Sequence, residues 1–213
     1  MSVPAVLAIG ALFAAGGAAA ERLASVWPAR GAQGRRPGVR TVALALFSAG
    51  AAAAVAARST LPWWATAAYL VLLGILIVLA ATDLEQRRLP HMLLDPLIVL
   101  AALFIPFNPA MHPVLAIIGG ASAAAFLAIL AVVIRGGLAR GDLLLVLPIG
   151  FMLGFPSVFI AVFAASFLAA GASMVLLARR KVGMRTYIPF GPFLVGGTVI
   201  ALLFDERVLG PFR

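Results

Sequence analysis

Between Trp63 and Ala81 the chain runs without a single charged side chain, and the stretches Val114–Ile134 and Pro156–Ala178 resemble it before any charge interrupts them. A helix needs about 20 apolar residues to cross a hydrocarbon core about 30 Å thick. In lipid, backbone polar groups must be satisfied within the spanning structure itself, so runs of this kind fold as helices or closed barrels. A barrel requires short alternating segments, and these runs are continuous. Composition agrees: 64% of the 213 residues are hydrophobic and 11% charged, whereas soluble domains are about 45–50% apolar and about 25% charged. The sequence therefore predicts an all-α, polytopic transmembrane helix bundle of about eight helices, with residues 1–213 forming a single integral membrane domain.

The expected spans are 3–20, 41–57, 63–81, 91–107, 114–134, 143–155, 156–178 and 193–204. The first ends in Ala18-Ala19-Ala20, small residues of the kind found at a signal cleavage site. No basic residue precedes it, unlike a secretory signal, so the expectation is a retained helix with its N-terminus outside. Trp63-Trp64 fits an interfacial anchor. The sixth span, Leu143–Phe155, is interrupted by Pro148, Gly150 and Gly154. It is too short for the bilayer core, at about 1.5 Å per residue, and predicts a short or distorted helix.

The net charge of +9 is explained by loop asymmetry, with no nucleic-acid partner expected. With both termini outside, 13 of the 16 basic residues fall in inside loops: Arg22, Arg30, Arg35, Arg36, Arg40, Arg87, Arg88, Arg135, Arg140, Arg179, Arg180, Lys181 and Arg185. Only Arg58, Arg207 and Arg213 fall outside. Cytoplasmic loops carry such an excess. This layout gathers Asp83, Asp142 and the Pro189–Pro192 turn at the cytoplasmic face.

An acid at a membrane boundary is costly and marks a functional site by default. Asp83 follows the third span, and Asp142, behind Gly141, opens the sixth. Two carboxylates sharing a proton titrate as a unit and supply both a base for water and an acid for a carbonyl. No other catalytic set is visible. The two histidines, His91 and His112, fall on opposite faces. With no cysteine and no His-x-x-x-His pair, no metal site is expected. From the residues alone, other readings stay open. Asp142 is placed to cap the following helix, Asp83 to act as a solvated loop acid beside Arg87 or Arg88, and Asp95 to cap the fourth helix.

Three segments resemble the prepilin (type IV leader) peptidases, membrane aspartyl proteases of the GxGD type. Asp83 through Leu89-Pro90 is similar to the family's first aspartate with its following basic residues and Leu-Pro. Ala139–Leu145 resembles the Gly-x-Gly-Asp-x-Lys-Leu signature, with Leu153-Gly154 as its close. Ile188-Pro189-Phe190-Gly191-Pro192-Phe193-Leu194 resembles the Pro-Phe-Gly-Pro-Phe-Leu element. The resemblance implies that Asp83 and Asp142 are the catalytic pair. It also implies that Arg140, Gly141, Pro189, Phe190, Gly191 and Pro192 border the substrate, with Gly141 letting backbone approach it. The implied substrates are prepilin-like membrane proteins, entering laterally from the bilayer, whose basic leader is cut at the cytoplasmic face of a bacterial inner membrane for pilus assembly or secretion.

Two positions depart from the signature: Ala139 replaces its first glycine and Leu144 its lysine. The family's larger members also carry a cysteine-rich zinc domain and N-methylate the product. Here the loop Glu21–Arg40 has no cysteine, so neither zinc nor another cofactor is expected. The departures motivate an alternative, a catalytically silent relative acting as a scaffold or binding subunit of a pilus or secretion apparatus. A proton-coupled transporter using the two acids is a third reading, although no inverted repeat is visible.

Overall fold

In the computed structural model, residues 1–27, 36–133, 139–179 and 189–209 are described. Arg30, Arg35, Arg135, Arg180, Lys181, Arg185, Ile188 and Arg213, used in the sequence reading, lie outside the described residues. The described residues contain helices and no strand: α1 (Val3–Ala24), α2 (Val39–Arg58), α3 (Trp63–Gln86), α4 (His91–Phe104), α5 (Pro113–Val133), α6 (Arg140–Leu153), α7 (Ser157–Ala178), α8 (Gly191–Phe204) and a short α9 (Glu206–Leu209). A 3-10 turn, Ile105–Phe107, extends α4. Five helices (α1, α2, α3, α5 and α7) are long and apolar enough to cross a membrane. The chain is a multi-pass membrane protein.

Helix α3 is central. Leu72, Leu73, Leu76, Ile77, Leu79 and Ala80 are all buried, and the helix packs on α1, α2, α4 and α8. By contrast α1, α5 and α7 turn residues such as Leu7, Ile129 and Phe167 outward, as faces toward lipid do. Helices α1 and α2 pair with each other, α5 pairs with α6, and α7 with α8.

The α5–α6 crossing is built on glycine. A Cβ added to Gly150 would fall on the Gly120 backbone, and one added to Gly119 on the backbone of Gly154. Small residues at such crossings let helix backbones approach closely in a membrane. Gly150→Leu is therefore expected to cost about 1–3 kcal/mol through overpacking, measurable as a lowered thermal midpoint in detergent.

The two ends of the bundle differ in charge. At one end lie the C-terminus of α1, the start of α2 and the end of α3, tied by Gln86 Nε2 donating to the Ala24 carbonyl (2.6 Å) and by an Arg40–Glu85 ion pair (3.3 Å). Arg22, Arg87, Arg88 and Arg140 share this end. At the other end Arg58 donates to the Leu203 carbonyl (2.9 Å), and Arg207 pairs with Asp205 (2.7 Å).

Helix boundaries depart from expectation at both acids. Helix α3 continues past Ala81 through Asp83 to Gln86 and stops where Arg87 adopts a left-handed conformation, φ 53°. Thr82, Asp83, Glu85 and Gln86 are polar but compatible with helix, so the apolar run ends before the helix does. Asp83 is accordingly no solvated loop acid: it is 4% exposed, while Arg87 and Arg88 face solvent. Helix α6 begins at Arg140, so Asp142 lies inside its first turn. Asp95 does not cap α4; Pro90 holds that position, and Asp95 instead pairs with His91 one turn back (3.1 Å).

Candidate active site

The last turn of α3 meets the first turn of α8 at the basic end of the bundle, where α6 also begins. Asp83 is held there by α8. The Gly191 N–H, first in that helix, donates to Asp83 Oδ2 at 3.1 Å. The first N–H groups of a helix lack intrahelical partners, and the N-terminus carries about half a positive charge, so it favours a carboxylate. The approach is close enough that a Cβ on residue 191 would stand 2.7 Å from Asp83 Oδ2, and glycine is the residue that admits it.

Asp142 is bound in the same manner by its own helix. Its Oδ2 accepts the Ala139 N–H at 3.2 Å, while its own N–H donates to the Ala139 carbonyl at 3.1 Å. This is the N3 half of a capping box, so the capping role open at the sequence level is present in this form. Asp142 is also 1% exposed and faces inward. Both acids lie at this end of the bundle, Asp83 in the last turn of α3 and Asp142 in the first turn of α6. Helices α4 and α8 each pack against both α3 and α6 and bridge the two acid-bearing helices.

Ala139, where the resembled signature has glycine, sits at φ −79°, ψ 150°, extended backbone open to any L-residue. Leu144 is half-buried and packs against the core. Leu89 fills the space beside Gly141, with its Cδ1 2.9 Å from where a Cβ would lie. Gly141 thus faces the Leu89-Pro90 element. Arg140 is exposed; Pro189 and Phe190 are half-buried, Phe190 against the core. Pro192 lines a crevice of about 380 Å³ between α1, α2, α3 and α8, whose other walls include Leu44, Phe47, Ala81 and Leu84. At that crevice Thr41 Oγ1 donates to Glu21 Oε2 (2.9 Å).

Sequence reasoning missed the bond from Gly191 to Asp83, because Pro-Phe-Gly-Pro was read as a turn. Proline just inside a helix start is a recognised signal, and Pro192 carries it. Nor did it find a buried polar cluster at the opposite end around Tyr69 and Asn108.

Comparison with known proteins gives a family. Residues 70–174, which include both Asp83 and Asp142, match the model of the type IV leader peptidase family. A prepilin leader peptidase/N-methyltransferase of Bacillus subtilis (strain 168) is 31% identical over 144 residues, 65% of this chain and 56% of that protein. The protein of the same description from Aeromonas hydrophila is 29% identical over 160 residues, covering 72% and 55%. The chain thus spans little more than half the length of these curated relatives. No solved structure matches it significantly. Through the segment that carries the two buried acids, this chain is similar to the type IV leader peptidase family.

Proposed function

We propose that this chain is a membrane aspartyl endopeptidase that removes basic leader peptides from prepilin-like membrane proteins at the cytoplasmic face of a bacterial inner membrane. The observation that carries the reading is the burial of Asp83 and Asp142 together, each accepting a backbone N–H at a helix N-terminus. One carboxylate takes a proton from a water molecule, and the resulting hydroxide adds to the scissile carbonyl carbon. The other, protonated, gives its proton to the carbonyl oxygen. Collapse of the tetrahedral intermediate breaks the C–N bond, and the departing amine takes up a proton. Substrate reaches the site from the bilayer, past Arg140, Gly141 and the Pro189–Pro192 segment. The excess of basic residues at the site's end of the chain supports the cytoplasmic orientation, and residues 1–213 act as one integral membrane unit.

Leu144 favours a second reading, the catalytically silent scaffold, since it puts an apolar group where the resembled signature has a lysine. Co-expression with a prepilin decides between them. Leader removal by the wild type, read as a gel shift, and its loss in Asp83→Ala and Asp142→Ala supports the peptidase. A wild type that cleaves none of several prepilins while Leu144→Lys does cleave supports the silent relative.

A further inference from the structure

The two acid-bearing helices are joined far from the acids. Helix α3 packs chiefly on α1 and α8, and α6 on α5 and α4. At the end opposite the site, one α3 side chain reaches the α6 backbone: Tyr69 Oη donates to the Met152 carbonyl at 3.1 Å. That carbonyl lies in the last turn of α6, where backbone acceptors lack intrahelical donors. The tyrosine is itself fixed. Asn108 Nδ2 donates to Tyr69 Oη (3.0 Å), and Asn108 Oδ1, 3.3 Å from the same hydroxyl, accepts the Ala110 N–H (3.0 Å), which sets the orientation of the amide and leaves the Tyr69 proton to the shorter bond to Met152. Phe104 meets the Tyr69 ring edge to face at 5.7 Å. The neighbouring Leu153 carbonyl is taken by Arg207 Nη2 (2.9 Å), which also bonds Asp205. Tyr69 is 1% exposed and Asn108 6%, so a lost partner here would not be replaced by bulk water.

We propose that Tyr69 is a positioning residue for the dyad: its bond to Met152 sets the axial register of α6 on α3, and so whether the two carboxylates meet. Asp83 lies about 21 Å along α3 from Tyr69, and Asp142 about 15 Å along α6 from Met152, at about 1.5 Å per residue. A slip at the clamp carries along both stiff helices to the site. A misplacement of about 1 Å costs on the order of 10²-fold in rate.

The inference rests on the peptidase reading for its kinetic arm only. Tyr69→Phe keeps the ring and removes the hydroxyl. Thr66→Val is its control, removing another buried α3 hydroxyl, whose hydrogen bonds go to Ser59 (2.7 Å) and to the Leu61 and Pro62 carbonyls. The full chain is reconstituted with a prepilin in liposomes. Tyr69→Phe is expected to lower kcat at least tenfold with KM unchanged, and Thr66→Val to leave both within twofold. Because the chain has no cysteine, spin labels on Arg87→Cys and Arg140→Cys, both exposed, report the spacing of the two inner helix ends. Tyr69→Phe is expected to broaden or shift that distance distribution, and Thr66→Val to leave it as in the otherwise unaltered labelled protein. An unchanged distribution in Tyr69→Phe, or equal effects from the two variants, overturns the proposal. A wild type that cleaves no prepilin counts against the peptidase reading alone, since the label spacing still tests the clamp.

Discussion

Asp83→Asn and Asp142→Asn will each lower prepilin cleavage by about 10²–10⁴-fold, the usual contribution of a positioned acid or base. Asparagine keeps the shape of aspartate and an oxygen that can accept the Gly191 or Ala139 N–H, so insertion and folding should survive. What is lost, on the proposed mechanism, is the shared proton. The measurement is a time course of leader removal in reconstituted membranes, with thermal unfolding in detergent as the control. Normal cleavage by either variant would remove that residue from the catalytic pair. On the proposed mechanism the two groups act as a unit, so the double variant is expected to fall little below the single ones.

The second large effect is expected at Gly191. A side chain there would put its Cβ 2.7 Å from Asp83 Oδ2, a separation that real contacts do not tolerate. Gly191→Val forces either the Asp83 carboxylate out of place or the first turn of α8 away from α3. Both outcomes sever the hydrogen bond. Activity should fall on the order of 10²-fold, as for a misplaced catalytic group, and the thermal midpoint should fall with it, since an intramolecular hydrogen bond is worth about 0.5–1.5 kcal/mol. Gly191→Ala should lie between wild type and valine. Full activity in Gly191→Val would mean that the α8 terminus takes no part in holding Asp83.

The order and number of the main helices were legible because each apolar run exceeds anything a loop would carry. The acids were legible because a carboxylate beside such a run is conspicuous. Hydropathy reports where lipid ends, however, and α3 runs on through Thr82–Gln86 until Arg87 turns it. The assembly of the site was hidden for a related reason. Gly191 and Asp83 are more than a hundred residues apart, and their contact depends on where α8 starts in space. Tyr69 escaped notice because one aromatic residue in an apolar helix looks like packing. Only its hydroxyl, aimed at the last turn of another helix, distinguishes it.

Where α5 crosses α6, backbone rests on backbone at Gly120 and Gly150. No flexible side chain lies between them to be compressed or rearranged. On the opposite flank the α1–α2 pair leans on α3 beside an open crevice of about 380 Å³. This packing predicts lopsided breathing, with a stiff wall at the α5–α6 crossing and any give on the side of the crevice beside α3.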